Sequence, residues 1–391
     1  MLSETGVSYK SGGSCLTATQ MALEDVNTHS NILKDYNLTY RWLDSKAMKH
    51  LQFNDLLLDR LCVQFCGQTV LTVLWADCMD SSDTLNSACD PGTALYRMFE
   101  RLNNDPPYLL LLGGACSVVT EATAQVSYMW NITQLSYESS SPVLSDRARF
   151  PRFFRLYPPD QKLNIARIAL MKQFNWKRVA TINEAKEYFS AVIDDFVQRA
   201  KVTDVTIISQ EIFVNEPFAR IQNLKQHDAR IIITAMYEDK ARKVLCAAFK
   251  IGLYGPHIVW MFVGWYSKTF WKVDLDEVDC TEEQMTLTVE GAFITGAVFM
   301  NPVEEKGIAG ITATEFEMTY FNHPTYNPEW ASTDAVAPLC YDHIWVAALA
   351  LECALQSIQR IDGQREKIGL YRLDLENKFF EWTEGSIRWR G

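Results

Sequence analysis

The sequence predicts an α/β protein built as two lobes, each a mostly parallel sheet flanked by helices. Three observations predict it. Short apolar runs bounded by Gly, Asp or Asn recur along the chain, with helical periods between them; that alternation belongs to a doubly wound sheet. The runs are apolar nearly throughout, as suits strands covered on both faces. The chain has 391 residues, more than one ordinary domain of ~100–200, and the strand–helix series occurs twice.

In order along the chain, residues 16–27 (LTATQMALEDVN) open a helix and 37–43 (NLTYRWL) form a strand. The segment 47–88 breaks the rhythm; it carries Cys62, Cys66 and Cys78 around a loosely apolar middle. A buried strand at 108–113 (YLLLLG) then leads into a helix at 118–130, and 134–137 (QLSY) is the next strand. The second series runs helix 163–174, strand 178–182 (RVATI), helix 188–201, strand 230–234 (RIIIT), helix 239–250 and strand 258–263 (IVWMFV). Beyond Gly363, residues 367–371 and 378–382 read as a hairpin.

Composition narrows the function classes. At 48% hydrophobic and 22% charged the chain folds rather than staying disordered. A net charge of −11 argues against nucleic acid as a partner, which asks for clustered Lys and Arg. No stretch reads as a membrane span: 63–79 is broken by Gln64, Gln68 and Asp77, and 108–119 falls short of the ~20 residues a bilayer core needs. The polar start has no signal peptide. Yet the chain has ten cysteines and two glycosylation sequons, at Asn37 and Asn131. Together they point to an oxidising compartment, and so to a piece of a longer, secreted chain.

Catalytic patterns are lacking. There is no Gly-x-Ser-x-Gly elbow and no His-Glu-x-x-His. The six histidines are scattered, and His343, on an apolar helix, reads as a packing residue. Cys62 and Cys66 have no second ligand pair for zinc. The expectation is a non-enzyme with no cofactor and no metal.

Three corners could bind a ligand instead. The turn Gly113-Gly114-Ala115-Cys116-Ser117 joins a buried strand to a helix, so its N–H groups and the Ser117 hydroxyl suit a carboxylate; taken alone, the turn favours the plainer reading of Ser117 as a helix cap. The corner Tyr137-Glu138-Ser139-Ser140-Ser141-Pro142 follows the next strand, where open α/β sheets bind ligands, although Ser and Pro also simply make turns. Tyr237 and Gly264-Trp265-Tyr266 stand at equivalent strand ends in the second series. Such rings can cover a ligand and attract an ammonium, or only pack the rim.

With these residues in view, a family resemblance becomes specific. The stretches MALEDVN (21–27), CDPG (89–92), LSYESSSP (135–142), RFPRFFR (149–155), DARIII (228–233), Tyr237 with ARKV (241–244), Gly264-Trp265-Tyr266 and Tyr341-Asp342-His343-Ile344-Trp345 follow one another as in the extracellular Venus-flytrap domain of metabotropic γ-aminobutyrate type B receptors, of the class C G-protein-coupled receptors. The chain resembles the ligand-binding first subunit more than the second.

The resemblance implies a periplasmic-binding-protein-like (type I) fold with lobe 1 at 1–157 and 301–363, carrying an atypical insertion at 47–88, and lobe 2 at 158–300 and 364–391. It implies a small amino-acid ligand of the γ-aminobutyrate kind. Ser117 and Ser140 would meet its carboxylate, Tyr237 and Trp265 would reach in from lobe 2, and Tyr9 stands where the family has a covering tryptophan. Disulfides Cys89–Cys116 and Cys246–Cys280 would follow. The chain would act on the extracellular side of the plasma membrane, as a heterodimer pairing through lobe 1, and signal through a seven-helix domain to a G protein. Met98, Phe99 and Leu102 share one helical face, either for that partner or for the core. Two positions depart from the pattern. Tyr157 replaces a ligand-contacting histidine, and Val336 replaces the acid for the ligand ammonium, with Asp334 nearby. An uncompensated buried ammonium costs roughly 2–5 kcal/mol. A ligandless partner subunit is therefore the alternative.

Overall fold

The computed structural model describes residues 12–28, 31–34, 36–43, 69–76, 90–104, 108–272, 278–328, 335–362, 381–383 and 386–388. The chain divides into two units: Met1–Ser139 with Arg147–Tyr157 and Phe299–Gly391, and Ser140–Asp146 with Pro158–Val298. Residues 364–391 fall in the first unit, and most of them lie outside the described residues.

The first unit holds a parallel five-stranded sheet in chain order: β1 (Tyr36–Leu43), β2 (Thr69–Ala76), β3 (Leu110–Gly113), β4 (Thr133–Ser136) and β5 (Phe153–Arg155). Strand β2 pairs with β1 over its whole length, Tyr36 opposite Thr69 and Leu43 opposite Ala76, and with β3 at Leu74–Leu111. Part of the segment 47–88 is thus an inner strand of this sheet. Helices α1 (Gly12–Thr28), α2 (Pro91–Asn104) and α3 (Ser117–Ser127) come from the same unit.

In α1, Ala18, Met21, Ala22 and Val26 recur at helical spacing and are buried, which explains why this stretch is a core helix. On α2, Met98 is buried and Phe99 and Leu102 pack beside it around Tyr108, Leu111 and Ile132. That face belongs to the core; Tyr96 is the exposed aromatic of the helix.

The second unit is built on another parallel sheet, in the order β10–β9–β8–β6–β7: β6 (Arg178–Glu184), β7 (Thr206–Phe213), β8 (Ile231–Ala235), β9 (Val259–Val263) and β10 (Phe293–Thr295). Helices α4 (Leu163–Gln173), α5 (Glu187–Lys201), α6 (Phe218–Gln226), α7 (Glu238–Ile251) and α8 (Glu282–Val289) accompany it. The three inner strands are buried almost end to end, matching their unbroken apolar runs. Helix α5 turns Tyr188, Phe189, Val192, Ile193 and Phe196 inward, and each such side chain is worth ~1.5–3 kcal/mol of burial. Helix α7 stops at Gly252, whose φ of 70° supplies the left-handed residue that ends a helix. Helix α8 starts in a capping box between Thr281 and Gln284.

Helices α9 (Ala313–Asn322) and α10 (Ala337–Asp362) return to the first unit. Among the described residues, α10 is the one helix long and apolar enough to cross a membrane, over Ala337–Gln356. Here it is a core helix, with Cys340, Ile344, Ala347, Ala348 and Leu351 buried. A disulfide that the sequence did not suggest, Cys15–Cys340, ties α1 to α10. Near the end, β11 (Glu381–Thr383) and β12 (Ser386–Arg388) form an antiparallel hairpin, later in the chain than expected; 367–371 lies outside the described residues.

Candidate functional site

In the first unit, the Gly113–Ser117 turn is held rigidly. Gly113 and Gly114 take φ of 100° and 80°, which side chains resist. The Gly114 carbonyl accepts hydrogen bonds from Thr120 Oγ1 (3.0 Å), Ser136 Oγ (2.8 Å) and Ser139 Oγ (2.6 Å). Two hydroxyls of the serine-rich region are therefore spent on the turn. Cys116, not Ser117, occupies the cap position, and its side chain makes no capping bond. Ser117 is buried as the first residue of α3. Cys116 is disulfide-bonded, while Cys89 lies outside the described residues.

Tyr157 packs its ring 5.1 Å from that of Phe299, and Tyr157 and Val336 both belong to the apolar core of this unit. Tyr9 and Asp334 lie outside the described residues. His343 is fully buried, with Nε2 2.6 Å from the Leu135 carbonyl. A carbonyl only accepts, so Nε2 carries the proton; burial pulls the imidazole pKa down to about 4.

The second unit gathers a different group at the carboxyl ends of β6, β8 and β9. Ser140 Oγ lies 2.8 Å from Tyr188 Oη. The Tyr188 hydroxyl donates to Asp160 Oδ2, which also accepts from Trp265 Nε1 at 2.9 Å. The Ser140 carbonyl accepts from the Asp160 N–H at 2.9 Å. Rings continue the cluster: Phe189 to Tyr237 at 4.9 Å, and Tyr237 to Trp265 at 5.8 Å. The Tyr237 N–H points at Glu184 Oε2 (3.5 Å), and Glu184 Oε1 pairs with Lys186 Nζ (2.9 Å), which sits 4.4 Å over the Tyr237 ring. Gly264 lets this corner close, since a Cβ there would lie 2.1 Å from Gly296 Cα.

Asp160 is the centre of the group. It is 1% exposed, and its Oδ1 is buried with no hydrogen-bond partner. Desolvation raises its pKa, while the bonds from Tyr188 and Trp265 and the charge of Arg167 oppose the rise. Arg167 is itself buried and lowered to about 10 by desolvation; it bonds Thr295 Oγ1 (3.2 Å) and Asn164 Oδ1 (3.0 Å). Desolvation, then the Asp160 charge, pushes the Tyr188 phenol well up.

Of the residues singled out from sequence, Ser140, Tyr237 and Trp265 therefore meet in the second unit, and Ser117 stands in the first. Sequence reasoning missed Asp160, Tyr188, Glu184 and Lys186. Tyr188 was visible only as one apolar position of a helix. Asp160, between a Pro pair and a helix start, carries no motif, because its partners lie 28 and 105 residues away. Cys246 and Cys280 are bonded to each other, Cα–Cα 5.6 Å.

A parallel α/β fold with polar and aromatic residues at its strand ends defines a ligand-binding class, and comparison with known proteins gives the family. Residues 79–385 match the receptor family ligand binding region, and the chain belongs to that family, on its γ-aminobutyrate-type-B-like, class C branch. It is 36% identical over 88% of its length to gamma-aminobutyric acid type B receptor subunit 1 of Mus musculus. To subunit 2 of Homo sapiens it is 30% identical over 70%. To metabotropic glutamate receptor 8 of Homo sapiens it is 30% identical over 41%. The chain spans about a third of the curated relatives it matches, 31% of the mouse protein and 29% of human subunit 2. These relatives are named as receptors, none as an enzyme.

Proposed function

We propose that the chain binds a small amino acid, γ-aminobutyrate or a near relative, and that the two units close on it. Closure is favoured when both units contact the ligand only in the closed state. Ser117, at the start of helix α3, holds the acid group. Ser140, Tyr237 and Trp265 meet the ligand from the second unit, with Tyr9 and Tyr157 contributing from the first. Within a full-length receptor on the outer face of the plasma membrane, closure signals through a seven-helix domain to a G protein. The receptor pairs as a heterodimer through the first unit, and Asn37 and Asn131, both exposed, carry glycans.

The observation that carries this reading is the meeting of Ser140, Tyr237 and Trp265 where open α/β sheets bind ligands. Calorimetric titration of γ-aminobutyrate into the purified chain tests it. Saturable heat is expected, and Ser117→Ala should weaken binding by about 1–3 kcal/mol, the cost of a lost charge-assisted bond. Neither heat nor thermal shift at millimolar ligand would instead support the second reading, a ligandless partner subunit. That reading is favoured by Tyr157 and Val336, which lie in the apolar core and offer no charge to an ammonium.

A further inference from the structure

We propose that the exposed turn Tyr128-Met129-Trp130 in the first unit is the seat of the glycan on Asn131, with the first N-acetylglucosamine lying on the Tyr128 ring. The inference rests on the reading of Asn131 as a glycan carrier and adds where that sugar lies and what it covers.

Tyr128, Met129 and Trp130 form a turn of 3-10 helix directly after α3, and none of the three is buried. They are 39%, 66% and 39% exposed. Consecutive large apolar side chains facing water mark a contact surface. Trp130 is steadied by Phe99 of α2, their ring centroids 5.3 Å apart.

The same turn presents the sugar acceptor. Asn131 is exposed and ends the turn in the left-handed region, with φ of 59°, a conformation in which Asn is enriched. Its N–H donates to the Tyr128 carbonyl at 3.0 Å, and the three-residue period of a 3-10 turn stacks residue 131 over residue 128. The chain beyond is fixed: the Ile132 N–H donates to the Ser127 carbonyl at 3.2 Å, Ile132 is buried, and Thr133 opens β4. A sugar on Asn131 therefore starts one turn away from an exposed ring. The other sequon differs, because Asn37 lies within β1, opposite Val70.

The chemistry suits this pairing. In the secretory pathway Asn131 Nδ2 gives a proton to a base of the transferase and bonds to C1 of the sugar. The C1–O bond to a lipid pyrophosphate breaks, and the pyrophosphate leaves with the electron pair. The C–H face of a pyranose ring is apolar, and the negative face of an aromatic ring attracts polarised C–H groups. The covalent tether keeps the effective concentration of sugar at the ring high.

The full chain can be secreted behind an added leader from cells that make oligomannose glycans. Trimming with endoglycosidase H then leaves a single N-acetylglucosamine at each occupied site. The acetyl methyl ¹H signal at Asn131, assigned with Asn131→Gln, is compared between the folded chain and the chain unfolded in urea. An upfield ring-current shift on folding is expected. Asn131→Gln should also lower the melting temperature by about 2 °C, and leave it unchanged in a Tyr128→Ala background. A methyl signal unmoved by folding, or an equal loss of melting temperature in both backgrounds, overturns the proposal and leaves the patch to a protein partner. The methyl comparison uses the wild-type chain, so a Tyr128→Ala chain that fails to fold leaves the test standing. Mass spectrometry of the Asn131 peptide separates the two failures. An unmodified Asn131 ends the glycan reading and the proposal with it; a modified Asn131 with an unmoved methyl ends the proposal alone.

Discussion

Lowering the pH should destabilise the first unit through His343, and the size of the effect follows from its surroundings. The ring is 0% exposed and gives its one proton to the Leu135 carbonyl. Charging it inside the core has no compensating partner in that bond, and desolvation brings the pKa from 6.5 to about 4. The unfolded chain therefore takes the proton first. Stability from this residue is complete above about pH 6.5, drains as pH falls, and levels off below about pH 4. At about 1.4 kcal/mol per pH unit, the gap comes to about 3 kcal/mol. A His343→Gln variant keeps an amide N–H for the Leu135 carbonyl and cannot titrate. At pH 7 it should cost about 0.5–1.5 kcal/mol, the scale of one altered hydrogen bond. Urea unfolding of both proteins from pH 7 to pH 4.5, followed by circular dichroism, gives the difference. The wild-type advantage should shrink and then reverse over that range. Asp160, whose raised pKa favours the folded state at low pH, is present in both proteins and cancels. A stability difference that stays flat from pH 7 to pH 4.5 would refute the argument.

Two further changes test the second unit. Gly264→Ala puts a methyl 2.1 Å from Gly296 Cα, so the ends of β9 and β10 must part; a loss of about 1–3 kcal/mol in thermal unfolding is expected, with altered Trp265 fluorescence. Thr281→Ala removes the hydroxyl that accepts the Gln284 N–H and should cost about 1 kcal/mol by the same measurement.

The sequence made the inner layers legible and the margins obscure. Strands such as IIITA at 231–235 and VWMFV at 259–263 lie inside a sheet, so burial on both faces writes itself as a continuous apolar run. Strand β7 is an edge, and its burial is patchy from Thr206 to Phe213, so TIISQEIF carries no such run. The three-residue strands β5 and β10 are edges too, and too short for periodicity to register. Strand β2 is a different failure. TVLTVLWA is a good strand sequence, but the segment around it breaks the strand–helix rhythm and hides it. At the site, Tyr237 and Trp265 were readable because each directly follows a recognisable strand. Asp160 was not, since its meaning comes only from Tyr188 and Trp265 folding against it.

The Cys15–Cys340 bond has a topological consequence. Its two cysteines are 325 residues apart in sequence, and every residue of the second unit lies between them. That unit is therefore a bead threaded on a closed covalent loop. Should it melt by itself, both of its chain ends stay stitched to a neighbour that is still folded, and the disordered segment can explore only the volume a tethered loop permits. Reduction of that sulfur pair opens the loop, and the restraint on the second unit then rests on the first unit staying folded.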